Sequence, residues 1–168
     1  MKNLLKKILF ITVIISSLLL SSCGDMQKHF SAGLTFYLPK DMELMKVTYA
    51  DICYGNNECE FFVYYYSRDE LLTKNFLDKD ATSAEYLQDF IAFNQYTDVD
   101  FTSDSEENTA IAKYLYESAN ECTYYCDFVL RNYDVLAHVT MNCSGELRDK
   151  YEPIFDGWIE GISLEETK

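Results

Sequence analysis

The feature that most limits the fold of this chain is a series of three runs, near 109–117, 123–131 and 135–143, in which alternate positions are apolar. Side chains at every second position of an extended strand point to the same face, so this alternation predicts strands. The short connection at 131–134 indicates that the last two pair as an antiparallel hairpin. The residues sharing one face are Tyr124, Cys126, Phe128 and Leu130 in the second run, and Val135, Ala137, Val139, Met141 and Cys143 in the third.

Two earlier runs flank a turn-rich loop at 54–58 and predict another hairpin. One face of the first carries Met45, Val47, Tyr49 and Cys53, and one face of the second carries Cys59, Phe61, Val63 and Tyr65. If Cys53 lies opposite Cys59, both sets fall on the same side of the hairpin. The other face of the second run is aromatic as well, so this strand is either covered on both sides or lines a ligand groove.

Two segments predict helices. Thr82 and Glu85 have the spacing of a capping box, and apolar residues follow at helical spacing, so we expect a helix over about 83–94. Residues 98–108 are acidic and polar and predict a loop. A second helix is expected after Ser144 as N-cap, with a kink or restart at Pro153. Its apolar stripe consists of Leu147, Tyr151, Ile154, Phe155, Trp158 and Ile162.

This order of elements predicts an α+β fold, with an amphipathic helix between strands of an antiparallel β-sheet and a C-terminal helix packed on it. A short strand at 34–38, before Pro39, opens the domain. A length of 168 residues predicts one domain, which we place at 34–164 with a tail at 165–168.

The same elements resemble the PsbP-like fold found in small bacterial lipoproteins. The matching pieces are the opening strand at 34–39, the helix that begins at Ser83, and the closing helix around residues 151–155 with its Pro153. The resemblance covers most of the chain after the first 33 residues. It implies a docking or assembly role rather than catalysis.

The first 22 residues predict an export signal. A basic start containing Lys2, Lys6 and Lys7 precedes an apolar stretch at 8–20. Thirteen helical residues rise about 20 Å, which is less than the roughly 30 Å of a bilayer's hydrocarbon core, so a signal sequence is favoured over a membrane-spanning helix.

The four residues 20–23, Leu-Ser-Ser-Cys, resemble the lipobox of bacterial lipoproteins. The resemblance implies cleavage before Cys23, acylation of its thiol, and a tether that runs to residue 33. Two or more acyl chains hold a protein stably on a membrane. We therefore expect a lipid-anchored protein of the cell envelope, in the outer membrane if the organism is Gram-negative, since Asp does not directly follow Cys23. The alternative is an ordinary secretory signal with an incidental cysteine.

The chain is strongly acidic, with a formal net charge of -14. Removal of a signal that carries three lysines and no acidic residue would take this charge to -17. Such a surface repels nucleic acid and anionic lipid head groups, so we expect no nucleic-acid partner and membrane contact only through the lipid anchor. The acidity favours solubility or an envelope partner protein that is cationic.

Five cysteines follow Cys23, and an exported domain can keep disulfides. The predicted registers suggest the bridges Cys53–Cys59 and Cys122–Cys143, with Cys126 left as a buried thiol. The alternative is a zinc site, but its Cys-x5-Cys and Cys-x3-Cys spacings are poor for zinc, so we expect no metal.

No catalytic motif is present in the sequence, and we expect neither catalytic residues nor a cofactor. His29 falls in the predicted tether. His138 lies on the strand face opposite Val139, where a hydrogen-bonded sheet histidine is favoured over a catalytic base. The alternating oxygen donors of residues 98–104 suit calcium, but the glycine of an EF-hand loop is absent, so a solvated loop is expected.

The functional hypothesis is therefore a non-enzymatic, membrane-anchored module that binds a partner protein or stabilises an envelope assembly. The alternative is a small-molecule or glycan binder that uses Tyr64, Tyr66, Tyr125 and Trp158 as stacking surfaces. Exposure separates the two hypotheses. Tyrosines in a concave pocket would favour a ligand, whereas an exposed acidic patch ringed by aromatic side chains would favour a protein partner.

Overall fold

A computed structural model of the protein describes residues 25–73, 80–119 and 121–165. The predicted signal, Cys23 and most of the predicted tail lie outside these residues. Within them the chain forms antiparallel sheets and helices, and the predicted α+β class is confirmed.

The larger sheet has the strand order β3-β4-β5-β9-β8-β7-β6, and the smaller one has the order β1-β2-β10. The strands are β1 (Met26–Ser31), β2 (Leu34–Pro39), β3 (Glu43–Leu44), β4 (Ile52–Gly55), β5 (Cys59–Ser67), β6 (Asp100–Asp104), β7 (Thr109–Glu117), β8 (Cys122–Arg131), β9 (Val135–Ser144) and β10 (Ser163–Leu164). The helices are α1 (Arg68–Thr73), α2 (Ser83–Asn94) and α3 (Arg148–Ile159), and a 3₁₀ turn at Gly145–Leu147 precedes α3.

One face of the larger sheet packs against the smaller sheet and α3. The ring of Phe36 in β2 stacks on Phe61 of β5 with centroids 5.0 Å apart, and Phe155 and Trp158 of α3 complete the contact. We call this side the core face. It is almost entirely apolar, so its burial is the main hydrophobic contribution to the fold.

The opposite face is covered by α2, and we call it the helix face. Tyr86 and Leu87 of α2 pack over small and branched residues of β7, β8 and β9, namely Ala110, Ala112, Val129 and Leu136. Strands β5, β9 and β8 are therefore buried on both sides. The apolar character of both faces of the run at 59–67 predicts such a position, which the structure confirms.

The helix α2 has the predicted bounds and the predicted start. The Thr82 hydroxyl accepts a hydrogen bond from the backbone N–H of Glu85 at 3.2 Å, and the Glu85 carboxylate accepts one from the Thr82 N–H at 2.8 Å. These reciprocal bonds satisfy two donors that the first turn of a helix leaves open. Gln95 ends the helix in the left-handed conformation, with φ of 58°.

The segment predicted as a tether is instead a strand. Residues 26–31 form β1 and pair with β2, because Ala32 and Gly33 both adopt positive φ, as a two-residue hairpin turn requires. His29 is consequently half-buried: its ring stacks on Phe36, and its Nδ1 lies 2.9 Å from the Tyr54 hydroxyl. Burial lowers the pKa of His29.

The predicted register of the first hairpin is wrong. Cys53 lies opposite Phe62 rather than Cys59, so Cys53 is on the helix face while Cys59 is on the core face. The short β4 and the bends at 48–51 take up residues that the alternation pattern had placed in the strand. A slip of one residue is enough to move a side chain to the other side of a sheet.

The register of the β8–β9 hairpin also differs, because its turn is centred one residue later than predicted, with Arg131 opposite Leu136. Tyr124, not Cys122, lies opposite Cys143. The Cys122 sulfur instead packs against Gly145, so closely that a Cβ added to this glycine would lie 2.6 Å from the sulfur. In this structure no disulfide joins the described cysteines, 53, 59, 122, 126 and 143, and neither predicted bridge joins facing residues.

Two smaller differences concern loops and proline. The acidic segment predicted as a loop contains β6, which pairs with β7 at the edge of the sheet. Pro153 neither ends nor restarts α3, which runs unbroken over Arg148–Ile159 with Pro153 exposed. Ser144 precedes the 3₁₀ turn but makes no side-chain capping bond.

Replacing Thr82 by Ala should lower the free energy of unfolding by about 1 kcal/mol, because it removes the hydroxyl that caps α2. Urea unfolding followed by circular dichroism measures the change. Thr48→Ala, at an exposed position outside any helix, is the matched control and should change stability by less than half as much. Equal losses in the two variants would contradict a stabilising role for the cap.

Candidate functional site

A buried polar network lies on the helix face, between the sheet and α2. Its centre is Asp127 of β8, whose side chain is fully buried. One carboxylate oxygen accepts a hydrogen bond from the Tyr114 hydroxyl at 2.8 Å, and the other accepts one from Thr140 at 2.7 Å. The pairing of β7, β8 and β9 brings these side chains together, because they lie on the same face of adjacent strands.

His138 extends this network towards α2. Its Nε2 is 3.1 Å from Asp127, and its Nδ1 is 3.1 Å from the Tyr86 hydroxyl. A neutral imidazole protonated at Nε2 satisfies both contacts, because it donates to the carboxylate and accepts from the phenol. Phe90 closes the site, since its ring and the imidazole of His138 meet edge to face with centroids 4.9 Å apart.

The two phenols of the network remain protonated. Burial, with the Asp127 charge as a further cause, raises the pKa of Tyr114 well above its ordinary value. Burial likewise raises the pKa of Tyr86, whose hydroxyl also interacts with Tyr66. Each phenol can therefore act as a stable donor, and every member of the network has a hydrogen-bond partner.

This arrangement is suited to holding side chains in place, not to catalysis. A general base needs access to a substrate proton, but His138 is 2% exposed and both its nitrogens are engaged. Within the described residues no serine or cysteine makes a hydrogen bond to its imidazole. The network instead fixes the orientation of the tyrosines around it.

Tyr114 connects the network to an open cleft. The ring of Tyr96 stacks on Tyr114 with centroids 4.3 Å apart, and Tyr116 meets Tyr96 edge-on at 5.9 Å. These rings line a cleft of about 520 Å³ between residues 94–98 and the end of β7. We call it the acidic cleft, for the charges described below.

The cleft exposes an edge of the larger sheet. Strand β6 pairs with β7 only over Thr109–Lys113, so residues 114–117 have no strand partner on that side among the described residues. Leu115 and Tyr116 are 40% and 46% exposed. An edge of this kind presents backbone N–H and C=O groups that another extended segment can pair with.

The charges around the cleft do not cancel. Lys113 is neutralised by Asp156 at 2.7 Å and Glu152 at 3.5 Å, and Arg148 is paired with Glu152. Three further carboxylates border the cleft and make no ion pair within the described residues. They are Asp98, Asp100 and Glu117.

The residues predicted as stacking surfaces do not form one site. Tyr64, Tyr66 and Tyr125 lie half-buried on the helix face, where Tyr64 neighbours His138 and Tyr125 stacks on Tyr114. Trp158 lies on the core face, 5% exposed and packed against Phe61. A single ligand therefore cannot contact all four.

Sequence reasoning missed the residues that do come together, Tyr96, Tyr114 and Asp127. One signal was available: Asp127 is a lone carboxylate within the otherwise apolar and aromatic run of β8, on the same face as Tyr125. A charged residue at such a position is rarely buried unless it is paired. Tyr96 follows a helix end, and no local pattern places it against β7.

Two other properties concern metals and membranes. Among residues 25–73, 80–119 and 121–165, no three histidine, cysteine or acidic side chains come together as metal ligands. Asp100 and Asp104 belong to an extended strand, and Asp104 bonds to the backbone of the following turn. In the same part of the chain, no helix has the length and apolar character needed to cross a bilayer.

Comparison of this structure with solved structures finds a known fold. The solution structure of cyanobacterial PsbP (CyanoP) from Synechocystis sp. PCC 6803 superposes with a TM-score of 0.55 and 12% identity, covering 85% of this chain and 97% of CyanoP. The fold is similar to that of PsbP. A protein of unknown function from Pseudomonas aeruginosa, PA94, also matches, at a TM-score of 0.49 and 11% identity over 86% of this chain and all of PA94. No family model matches the sequence, and no curated protein does.

Asp127→Leu should lower the free energy of unfolding by about 3–5 kcal/mol, because it leaves the buried donors of Tyr114, Thr140 and His138 without an acceptor. Asp127→Asn keeps one acceptor oxygen and should cost clearly less. Urea unfolding measures both variants. Asp134→Asn, at an exposed hairpin position, is the control and should be nearly neutral. If Asp127→Leu were as stable as the unchanged chain, the network would not hold the helix face together.

Proposed function

We propose that this chain is a non-catalytic, lipid-anchored module of the cell envelope that binds a basic, extended segment of a partner protein in the acidic cleft. The observation that carries the proposal is the open edge of β7, which lies between tyrosine rings and carboxylates that make no ion pair within the described part of the chain. Both the backbone and the side chains of the cleft suit a peptide strand.

The backbone argument is strand addition. A segment that pairs with residues 114–117 would extend the larger sheet where β6 stops, and main-chain hydrogen bonds would supply much of its affinity. The segment's alternate side chains would then fall beside Tyr96 and Tyr116. Aromatic rings that are already oriented lose little conformational entropy on binding, and the stacking of Tyr96 on Tyr114 orients this one.

The charge argument determines the kind of partner. The carboxylates of Asp98, Asp100 and Glu117 favour lysine or arginine side chains in the bound segment. The two cations that line the cleft, Lys113 and Arg148, do not neutralise these carboxylates, because both are already paired with acidic residues of α3. The net charge of -14 acts in the same direction at long range and would steer a basic partner towards the domain.

Small-molecule or glycan binding has less support. The tyrosines expected to stack on a ligand are spread along the helix face, and Trp158 is part of the core. The acidic cleft is open along a strand edge, whereas small ligands are usually enclosed on most sides. An acidic surface with aromatic rings at its rim agrees better with a protein partner.

The lipid anchor is the second part of the proposal. Acylated Cys23 would be separated from β1, which starts at Met26, by Gly24 and Asp25 alone. Three residue steps span about 10 Å even when fully extended. The domain would therefore stand directly on the membrane surface, and its partner would be bound close to the bilayer.

Cys23→Ala should abolish the incorporation of labelled palmitate and move the protein from the membrane fraction to the soluble fraction, because the acyl chains supply the membrane affinity. Metabolic labelling followed by fractionation of cells that express the full chain measures both effects. Cys122→Ala is the matched control and should keep both label and membrane association. Full labelling of the Cys23→Ala variant would rule out this anchor.

A photoreactive amino acid in place of Tyr116 should form crosslinks to a partner protein in living cells, because this side chain lies at the open edge of the cleft. The same substitution at Tyr133, which is 76% exposed at the hairpin between β8 and β9, is the control and should give no such product.

A charge reversal distinguishes specific binding from chance proximity. Glu117→Lys should reduce the yield of the Tyr116 crosslink severalfold because it introduces repulsion against a basic segment, whereas Asp134→Lys should leave it unchanged. Equal crosslinking from the two photoreactive positions, or a yield that does not respond to Glu117→Lys, would argue against the cleft as the binding site.

A further inference from the structure

The β5–β9 pairing places two cysteines face to face. Cys59 lies directly opposite Cys143 in the register, and the two side chains are 3% and 2% exposed on the core face. Opposite residues on antiparallel strands have Cα atoms about 4.5–5.5 Å apart. Disulfides span Cα separations of about 4.4–6.8 Å, so the Cα separation expected for directly opposite residues lies within the range of a disulfide.

The other described cysteines are not placed for bonding to either of these two. Cys53 lies on the helix face, on the far side of the sheet from Cys59. Cys122 and Cys126 are diagonal to Cys143, because Tyr124 is the residue opposite it. Diagonal neighbours in a sheet are about 7–8 Å apart, which exceeds the reach of a disulfide.

We propose that Cys59 and Cys143 form a disulfide that joins β5 to β9 when the chain folds in an oxidising compartment. The two thiols together lose two protons and two electrons as the S–S bond forms. The electron acceptor is a disulfide, of a small thiol or of an oxidoreductase, which is reduced to two thiols through a mixed-disulfide intermediate. The bond is independent of the acidic cleft and of any partner bound there.

The surroundings of the pair indicate when the bond forms. Burial raises the pKa of Cys59 and of Cys143 to about 11, so very little reactive thiolate exists at neutral pH once the domain has folded. Met42 lies against the Cys59 sulfur at 3.7 Å and helps to shield it. Oxidation therefore precedes closure of the core face, and the finished bond is protected from reductants.

The bond should also matter for stability. It connects the early strand β5 with the late strand β9, and a crosslink that closes so long a loop restricts the unfolded chain strongly. Reduction should lower the midpoint of thermal unfolding by about 10 °C. Cys143→Ser should show the lower midpoint with or without reductant.

The test is disulfide mapping of the full chain, refolded in detergent with a mixture of reduced and oxidised glutathione. Free thiols are alkylated, and the unreduced protein is cut with trypsin and a glutamate-specific protease. Cleavage at Glu58 separates Cys53 from Cys59, and cleavage at Arg131 separates Cys126 from Cys143. The expected result is one linked pair of peptides containing Cys59 and Cys143 in most molecules.

Variants at the remaining cysteines sharpen the result. Cys53→Ser and Cys122→Ser should keep the linked pair, and the reduced, already folded chain should form it at least tenfold more slowly than the refolding chain. Alkylation of both Cys59 and Cys143 in most molecules, or a bond from either to another cysteine, would overturn the proposal. Since the mapping uses the unchanged chain, a variant that fails to fold cannot obscure this outcome.

Discussion

The pairing of β5 with β9 is the constraint on which the rest of the structure depends. It brings together strands far apart in sequence, and it makes β5 and β9 central members of the larger sheet. Its register decides which side chains of β5 meet the smaller sheet and which meet the helix face, because a shift of one residue would exchange them. Phe61 contributes to the core face only in this register, and Tyr64 reaches His138 only in the same register.

The two sides of the sheet then have different roles. The core face is closed by aromatic packing, and the charge of Lys113 on this face is neutralised by Asp156 and Glu152 of α3, so the face stabilises the domain without offering a surface for recognition. The helix face contains a buried carboxylate, Asp127, which is tolerated because it is hydrogen bonded on both oxygens. Through Tyr114 this network supports the ring of Tyr96 at the acidic cleft. The proposed binding of an extended segment would depend on such rigid support beneath the strand edge.

Local signals predicted much of the fold. The capping box at Thr82 and the helical spacing behind it predicted α2 with its bounds, and strict alternation predicted the meander of β7, β8 and β9, because both depend on neighbours within a few residues. The failures occurred where pairing between segments decides. The chain at 26–31 looked like a polar tether because an outer strand buries few of its side chains, yet it pairs fully with β2. The cysteines were assigned to local hairpin partners, although Cys59 faces Cys143 on a distant strand.

The sequence by itself determined the class of fold, the acidity of the surface, the bounds of α2 and the positions of the meander strands, because periodicity, charge and capping are written in adjacent residues. Only the tertiary structure decided which cysteines face each other and that Asp127 and His138 share a buried network. It also decided that β6 begins only opposite Lys113, which leaves residues 114–117 of β7 without a strand partner on that side among the described residues. These features arise from strand register and from the packing of α2. Both are set by many weak contacts between segments distant in the chain, which no local pattern records.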